Sequence, residues 1–351
     1  MLLMADAERR YLEAIFTTLG ATAAEAAAVA DVLTEADLRG HSSHGLVRVP
    51  LNAGLLRSGR GKPNAQPRIV QDTGVAIQMD GDRGLGPAVA TQAVNIAIAR
   101  AKERGVAAIT VNNCGHLGLA GYYVELAARQ DLVGVLFAKS ATHIHPYGGV
   151  ERRIGTNPIS IAIPTDGDPF LLDMSTSAIA NGKLQKAARE GRALPEGAAL
   201  DKDGSPTTDA QAALTGALTA FGGAKGYGLA LVVELLGGLL AGAGTGELRN
   251  PDGSGRLWGA LVLVIDPAAF GDPSAFKRGA AAFLAHVKSA RKAPGFDEIL
   301  IPGERSFRTR RDQLEHGVTI EDGLWNTIAK LAAEIGVDAQ QYVGSAPSAK
   351  S

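Results

Sequence analysis

The sequence feature that most constrains the fold is a strand-like apolar run that leads into a glycine-rich turn. Residues 106–111 are apolar and partly β-branched, which predicts a buried strand of a mixed or parallel sheet. The turn that follows carries Gly115, His116 and Gly118, and residues 119–129 then have the composition of a helix. Ligands of open α/β sheets bind in the crevice at the carboxyl ends of the strands. His116 therefore lies where such a protein would place a catalytic group, although a structural histidine explains its position equally well.

Length and charge limit the class of protein. The 351 residues can bury a sizeable core in two or three lobes. Lys and Arg number 35 against 36 Asp and Glu, so we expect neither a nucleic-acid partner nor a membrane surface as partner. The longest apolar run, residues 227–244, contains Glu234 and is too short to span a bilayer, and the start of the chain does not resemble a secretory signal. These features predict a cytoplasmic protein, and the single cysteine, Cys114, favours a buried thiol.

A polar segment between two predicted helices is a candidate substrate site. Thr22 and Glu25 form a capping-box pattern that starts an alanine-rich helix. After that helix, Ser43, His44 and Arg48 could share one face across the N-terminus of the next helix. A guanidinium beside a histidine and a serine suits a small carboxylate, which Arg binds through two parallel hydrogen bonds. A solvated helix end with a surface arginine is the alternative.

Two further segments suit the binding of a nucleotide. Lys225 lies in a glycine loop that leads into an apolar helix predicted over residues 229–240, and such a loop with a lysine at a helix start binds anions. Gly226 follows this lysine, so the loop is not a Walker A motif, and the chain has no GxGxxG fingerprint. Asp173 ends a predicted strand, and Ser175 would open the next helix. These groups could receive ribose hydroxyls or a phosphate, whereas plain helix capping is the alternative.

Six motifs occur along the chain in order: Ser43-His44-Gly45 with Arg48, Gly115-His116-Leu117-Gly118, Gly155-Thr156-Asn157-Pro158, Asp173-Met174-Ser175, Thr207-Thr208-Asp209 and Lys225-Gly226-Tyr227-Gly228. Together they resemble the type-2 malate/L-lactate dehydrogenase family of NAD(P)-dependent oxidoreductases. Ureidoglycolate, sulfolactate and diketogulonate enzymes and the piperideine/pyrroline-2-carboxylate reductases are relatives in that family. The resemblance covers roughly residues 12–333.

The resemblance implies an α/β fold with a non-Rossmann mixed-sheet core and a helical lobe formed by both chain termini. The helical lobe is expected at 1–75 together with 305–340. The core, with the substrate and dimer region, is expected at 76–120 and 225–304, and the NAD(P)-binding lobe at 121–224. A flexible tail is expected at 341–351. The family also implies a homodimer.

The resemblance further implies hydride transfer between a nicotinamide and the carbon that bears the hydroxyl group of a small 2-hydroxy acid. His116 would exchange the hydroxyl proton, and His44 is the second catalytic candidate. Ser43, His44 and Arg48 would hold the substrate carboxylate, with Lys139 close to the same pocket. NAD or NADP would be held by Ser140, Asn157, Asp173, Met174, Ser175, Lys225, Gly303 and Glu304. No metal is implied.

Three departures from the family pattern bear on the substrate. Ser42 stands where an acidic residue is common, Lys139 where Asn is common, and Ala220 where Pro is common. The charge of Lys139 makes substrate identity the least transferable property, and no Rossmann-type ribose ligand distinguishes NAD from NADP.

Three alternatives remain from the sequence. The first is a cyclic imino-acid reductase, which would reduce a C=N bond. The second is a non-catalytic dinucleotide-binding module. The third is a metal-dependent hydrolase, for which the candidate ligands are His41, His44, His116, His143 and His145.

Overall fold

A seven-stranded mixed sheet forms the centre of the computed structural model, which describes residues 1–245 and 258–343. The strands are β1 (Leu2–Leu3), β2 (Arg68–Asp72), β3 (Ala76–Asp80), β4 (Val106–Asn112), β5 (Val133–Lys139), β6 (Thr142–Ile144), β7 (Ile154–Gly155), β8 (Ile159–Ile163), β9 (Phe170–Met174), β10 (Ala199–Leu200), β11 (Pro206–Thr207), β12 (Ala217–Leu218), β13 (Gly259–Ile265) and β14 (Val318–Thr319). The helices are α1 (Ala5–Thr18), α2 (Ala23–Leu38), α3 (Val49–Arg57), α4 (Gly86–Arg104), α5 (Ala120–Ala128), α6 (Asn181–Glu190), α7 (Ala210–Thr215), α8 (Ala224–Val233), α9 (Pro273–Lys288), α10 (Glu304–His316) and α11 (Asp322–Glu334).

The central sheet has the strand order β2-β3-β4-β13-β5-β8-β9. Strands β3 and β4 are parallel, and the other neighbouring pairs are antiparallel. In the middle, β13 pairs Ala260 with Val111 of β4 and Gly259 with Lys139 of β5. This register brings the ends of β4 and β5 to one edge of the sheet. The predicted α/β class with a mixed-sheet core is confirmed.

Helices α4 and α5 cover the central sheet with small and aliphatic side chains. Buried residues of α4 include Ala93 and Val94, and Tyr123 and Val124 of α5 belong to the same core as Ile109 of β4. Alanine-rich faces let a helix approach a sheet closely, which leaves few voids. Cys114 is a buried thiol within this core, as predicted.

Both ends of the chain meet in a second, helical core. β1 pairs with β14, and Tyr11 of α1 packs on Trp325 of α11 with ring centroids 5.5 Å apart. The predicted capping box is present, because Thr22 Oγ1 accepts the N–H of Glu25 and the Thr22 N–H donates to Glu25 Oε2. The predicted helical lobe formed by both chain termini is therefore confirmed.

A smaller five-stranded sheet with the order β11-β10-β12-β6-β7 packs against α6, α7 and α8. The chain between residues 193 and 209 contributes the short strands β10 and β11. The apolar helix predicted over residues 229–240 begins earlier, at Ala224, and continues as a π-helical segment, Glu234–Leu240. Of the tail predicted at 341–351, residues 344–351 lie outside the described residues, and Tyr342 ends a 3₁₀ turn, Ala339–Tyr342.

Among the described residues, no helix combines the length and apolar composition needed to cross a bilayer.

Candidate active site

The Gly-His turn, residues 115–118, follows β4 and places His116 in a nearly closed environment. The imidazole is 6% exposed and meets the Trp258 ring edge-on, with centroids 4.5 Å apart. The Gly118 N–H donates to His116 Nδ1 at 3.0 Å. Because Nδ1 is an acceptor in this contact, the neutral ring carries its proton on Nε2. Gly118 has a φ of 84°, and a Cβ there would lie 2.6 Å from Val32 Cγ1, so glycine is required at this position.

The Ser-His turn, residues 42–48, carries the predicted substrate group. Ser43 Oγ lies 2.9 Å from His44 Nδ1, and Arg48 Nε donates to the carbonyl oxygen of Ser43 at 2.7 Å. Ser43, His44 and Arg48 thus come together just before α3, but not on one helical face, because the segment consists of two 3₁₀ turns, Ser42–His44 and Leu46–Arg48. Gly45 separates these turns with a ψ of −137°, far from helical values.

The two turns bring the predicted catalytic and substrate groups together. The rings of His44 and His116 have centroids 5.6 Å apart. Burial, followed by the charges of Arg48 and His41, lowers the pKa of His44 to about 3. Burial, with Arg48 and His44, also holds the pKa of His116 well below its usual range. Both imidazoles are therefore neutral at neutral pH, and the positive charge beside them belongs to Arg48. Two neutral hydrogen-bonding rings beside a guanidinium suit a small anion.

A buried carboxyl pair lies beneath the Ser-His turn, and the sequence patterns did not reveal it. Asp37 of α2 accepts the Leu46 N–H at 2.7 Å, and a Cβ on Gly45 would overlap the Asp37 carboxyl group. Glu8 of α1 is fully buried next to Asp37. Burial raises the pKa of Asp37 to about 7, and burial together with Asp37 raises the pKa of Glu8. The pair therefore retains a proton near neutral pH, which gives one carboxyl a donor for the other.

Lys139 ends β5 at the same sheet edge. Its main chain pairs with Gly259, which follows the Trp258 that contacts His116. The side chain is 2% exposed, and burial lowers its pKa while Glu234 acts in the opposite direction. Glu234 begins the π-helical segment and also accepts the N–H of Gly155 at 2.8 Å. Lys139 thus places a buried amine beside Glu234 of the π-helical segment, and such segments are frequent at functional sites.

The predicted cofactor residues fall into groups with different surroundings. Asn157 Oδ1 accepts the Ser140 N–H at 3.1 Å, and the Asn157 N–H donates to Ser140 Oγ at 3.1 Å. Asn157 Nδ2 donates to the carbonyl oxygen of Ala230 at 3.0 Å. Asn157 is fully buried and has a φ of 38°. These bonds join β5, β7 and α8, so Asn157 acts first as a structural link.

Asp173 lies near the start of α5. Its carboxylate accepts the Gly121 N–H at 2.8 Å and the Ser160 hydroxyl at 2.6 Å. The prediction that hydroxyls after Asp173 open the next helix is wrong, because α6 starts only at Asn181. Met174 ends β9, and Ser175 Oγ lies 2.9 Å from Ser177 Oγ in the irregular segment between. Asp173 thus accepts a hydrogen bond at the N-terminus of α5, a helix that is distant from it in the sequence.

Lys225 and the Gly303-Glu304 pair open two other helices. Helix α8 begins directly after Gly222 and Gly223, whose φ values are 58° and 62°. Lys225 is an exposed residue in the first turn of this helix. Gly303 has a φ of 99° and precedes α10, which begins at Glu304. Glu304 forms an ion pair with Lys288.

The remaining histidines are spread over different environments. His143 lines a separate cavity with Arg152 and Leu184, and His145 Nδ1 lies 2.8 Å from the carbonyl oxygen of Pro146. Within residues 1–245 and 258–343, no three His, Cys, Asp or Glu side chains converge as a metal-binding group.

The mixed-sheet fold thus brings two neutral imidazoles and a guanidinium together at one sheet edge, and these groups form the candidate active site. The pattern of the malate/L-lactate dehydrogenase family matches residues 3–329, and the chain belongs to this family. The predicted family is confirmed, and with it the prediction of an oxidoreductase of the hydroxy-acid dehydrogenase type.

Individual relatives match over almost their full length. The L-sulfolactate dehydrogenase of Methanocaldococcus jannaschii is 38% identical over 98% of this chain and 100% of its own length, and its solved structure superposes with a TM-score of 0.91. The solved malate dehydrogenase of Pyrococcus horikoshii OT3 is 32% identical over 96% of each chain, with a TM-score of 0.88. A Delta(1)-pyrroline-2-carboxylate reductase of Burkholderia ambifaria is 35% identical over 90% of this chain and 93% of its own length.

Proposed function

We propose that the protein transfers a hydride between a nicotinamide dinucleotide, NAD or NADP, and a small 2-hydroxy or 2-keto acid. The observation that carries the proposal is the approach of His44 and His116, with ring centroids 5.6 Å apart, beside the charge of Arg48. Family membership supports the class of reaction, since sulfolactate and malate, which name two relatives, are both 2-hydroxy acids.

Arg48 is proposed to bind the substrate carboxylate. Its Nε donates to the carbonyl oxygen of Ser43, and this hydrogen bond fixes the plane of the guanidinium. The two terminal nitrogens then remain to bind the ligand. Ser43 and His44, linked at 2.9 Å, supply further polar groups at the same place. A carboxylate held in this way has its 2-carbon at a fixed position relative to His116, which is the main requirement of a positioned reaction.

His116 is proposed to hydrogen-bond the oxygen on the 2-carbon and to exchange its proton. Gly118 occupies Nδ1, so Nε2 is the nitrogen available to the substrate. Trp258 on one side and the low exposure of the ring keep water away from this contact. His44 is the second candidate for proton exchange, and Lys139 adds a buried amine for a second anionic group of the substrate.

The described residues fit a dinucleotide. Lys225 and the free N–H groups of the first turn of α8 form a donor set for phosphate oxygens, and a Cβ on Gly222 would meet open space. Asp173 is an acceptor suited to a ribose hydroxyl, and Met174, Ser175, Ser140, Asn157, Gly303 and Glu304 complete the proposed binding set. When bound, the nicotinamide supplies the hydride chemistry, and the protein positions it.

A spectrophotometric panel tests the proposed function. The purified protein is mixed with NADH or NADPH and with the 2-keto acids that correspond to lactate, malate and sulfolactate. Oxidation of the nicotinamide is followed at its absorbance band. We expect turnover with at least one 2-keto acid, and a preference for doubly anionic substrates if Lys139 faces the second group. Binding of NADH or NADPH without turnover of any member would contradict the proposal.

A second candidate reaction shares the same site. The pyrroline-2-carboxylate reductase relative suggests reduction of a cyclic imine, whose carboxylate would suit the same Arg48 contact. The panel therefore includes pyrroline- and piperideine-2-carboxylate. Turnover of the imines alone would assign this reaction instead.

We also propose that two copies of the chain form a homodimer. The helical segment from α8 through residue 240 exposes apolar side chains, among them Leu229, Leu235 and Leu240, the last 58% exposed. Helix α9 has no buried residue, and Phe283 on it is 64% exposed. Apolar surfaces of this kind mark protein interfaces.

Light scattering after size exclusion tests the dimer. The parent protein should elute at twice the mass of the 36.2 kDa chain. Leu235→Glu should shift the mass toward one chain, whereas the matched exposed change Leu51→Glu on α3 should not. A monomeric parent would contradict the homodimer.

A further inference from the structure

The peptide between Leu117 and Gly118 contacts both His116 and Tyr123. Its N–H donates to His116 Nδ1 at 3.0 Å, and its carbonyl oxygen accepts the hydroxyl of Tyr123. Tyr123 lies on α5 and is completely buried. One peptide unit therefore joins a buried phenol to the proposed catalytic imidazole.

This orientation of the peptide restricts the chemistry of His116. An N–H that points at Nδ1 leaves that nitrogen unprotonated, so the neutral ring has its proton on Nε2. An imidazolium carries protons on both nitrogens, so its Nδ1–H and the Gly118 N–H would both be donors that point at each other, and no hydrogen bond could form. If Nε2 is to accept the hydroxyl proton of a 2-hydroxy acid, the ring must first hold its own proton on Nδ1. Proton exchange at Nε2 thus requires the Gly118 N–H to leave Nδ1.

The opposite orientation of the same peptide would satisfy this requirement. Rotation of the peptide plane turns the Leu117 carbonyl oxygen toward Nδ1 and the Gly118 N–H toward the Tyr123 oxygen. A hydroxyl both donates and accepts, so Tyr123 can bind either side of the peptide. The rotation takes φ of Gly118 from 84° to the negative side, and glycine populates both sides without strain.

We infer that the Leu117–Gly118 peptide has two orientations that set which nitrogen of His116 carries a proton, and that the Tyr123 hydroxyl stabilises the observed one. This role for Tyr123 rests on the proposed function of His116 as the proton-exchanging group. Tyr123 is a positioning residue, since it contacts the peptide and not the substrate.

Balanced proton transfer follows from the two orientations. In oxidation, the Nδ1–H tautomer, bound to the Leu117 carbonyl oxygen, takes the hydroxyl proton on Nε2 and becomes imidazolium. In reduction, the imidazolium returns that proton to the substrate oxygen, and the ring is again neutral. The observed orientation is therefore the resting state, and the rotated peptide is the state that exchanges a proton.

The charges around the pair favour the resting state. The groups that act on His116 are Arg48 and His44 from the Ser-His turn, and both, together with burial, lower its pKa. The groups that act on Tyr123 are Tyr122 and Cys114, which with burial raise its pKa, so its hydroxyl keeps its proton. Tyr123 is thus a donor under ordinary conditions, and the carbonyl of Leu117 is its natural partner.

The first test measures the tautomer directly, without turnover. Nitrogen NMR of histidine-labelled protein at neutral pH should show His116 with an unprotonated Nδ1 and a protonated Nε2. Tyr123→Phe removes the donor to Leu117 and should introduce a fraction of the Nδ1–H form. Tyr122→Phe, the neighbouring and less buried tyrosine, is the matched control and should leave the signals of His116 unchanged.

The second test uses the pH dependence of the reaction. Tyr123→Phe should raise the pH midpoint assigned to His116 by about 0.5–1, the effect of a net hydrogen bond on a titrating group. The KM for the carboxylate substrate should change little, since Arg48 is untouched. A lowered melting temperature with unchanged tautomer and midpoint would make Tyr123 purely structural and overturn the proposal.

The outcomes separate this inference from the proposed function. If no 2-keto acid is turned over, the NMR result still decides the tautomer and the effect of Tyr123. If Tyr123→Phe does not fold, the wild-type spectrum still decides, because a protonated Nδ1 in the resting protein would overturn the inference.

Discussion

The two turns that carry the proposed chemistry are held in place in different ways. The Gly-His turn is fixed mainly by its own neighbours in the chain, through Gly118 and Tyr123. The Ser-His turn is fixed from below by Asp37 of α2, which accepts the Leu46 N–H at 2.7 Å. Because the pKa of His116 is held well below its usual range, the Gly-His turn keeps one form near neutral pH, whereas the Ser-His turn depends on the proton of a buried acid whose pKa is raised to about 7. The following predictions test this difference.

The largest expected effect concerns His116. His116→Gln should lower kcat by about 10²–10⁴-fold, the usual contribution of a positioned proton donor, with little change in cofactor Kd. The comparison variant His44→Gln should lose less, because its ring lies on the Ser-His turn and contributes mainly to binding. Steady-state kinetics and circular dichroism check both variants. A folded His116→Gln protein with near-parental kcat would assign proton exchange to His44.

The second effect concerns Arg48. Arg48→Met should weaken transition-state binding by about 2–5 kcal/mol, measured as kcat/KM, because a buried charge-assisted contact is lost. Arg48→Lys should recover part of the loss through its charge alone, since it lacks the planar fork. Arg57→Met on the adjacent helix α3, which removes an exposed ion pair with Glu334 of α11, is the control and should leave kcat/KM unchanged. Equal kcat/KM in Arg48→Met and the parent would remove Arg48 from the site.

Sequence patterns predicted the Gly-His turn better than the Ser-His turn, and the contrast above explains why. An apolar strand followed by glycines and one histidine is a local signal, and the structure has β4 and the turn as that signal indicates. The Ser-His turn was predicted as a polar link whose residues share one face across a helix N-terminus, because a spacing of three or four residues suggests one face. The turn forms instead because the Asp37 carboxyl group packs against Gly45 and accepts the next N–H of the chain. No local sequence pattern connects Asp37 with Gly45.

Other differences between expectation and structure have the same origin. Asp173 was predicted at the end of a strand that leads directly into a helix, but its carboxylate binds the start of α5, far earlier in the chain. Trp258, which covers His116, comes from the segment before β13. Such contacts depend on the order of strands in the sheet, which residue periodicity does not determine. The family motifs combine several distant segments, and two of them, around His44 and His116, lie side by side in the structure.

The third effect is a pH dependence of stability that should distinguish the two turns. The folded-state pKa of Asp37 is about 7, well above the ordinary value of 3.8, so the folded protein binds this proton more tightly than the unfolded chain. Its contribution to stability is present below the unfolded pKa and is lost as pH rises toward about 7. Asp37→Asn keeps an acceptor for the Leu46 N–H but removes the titration. Between pH 4 and 8, the parent protein should therefore lose about 1–4 kcal/mol more unfolding free energy than the Asp37→Asn variant.

Urea unfolding of the parent and of Asp37→Asn at several pH values measures this effect. Glu13→Gln on α1, a less buried acid outside the pair, is the control and should follow the parent curve. Parallel curves for the parent and Asp37→Asn would show that the acid beneath the Ser-His turn is ionised throughout.

The smallest expected effect concerns Lys225, which lies outside both turns. Its side chain is exposed at the start of α8, so water and salt weaken its attraction for a phosphate group. Lys225→Ala should raise the Kd for NADH or NADPH by about 2–5-fold at low ionic strength, as expected for an exposed charge pair of up to about 1 kcal/mol. The gap should narrow in 1 M salt, where the screening length falls to about 3 Å. Fluorescence titration measures both values, with Lys202→Ala, another exposed lysine, as the control. If the two variants bind the cofactor equally well at low salt, the anion site of α8 is not used, and the main-chain N–H groups at the start of α5 beside Asp173 become the next candidate for the phosphates.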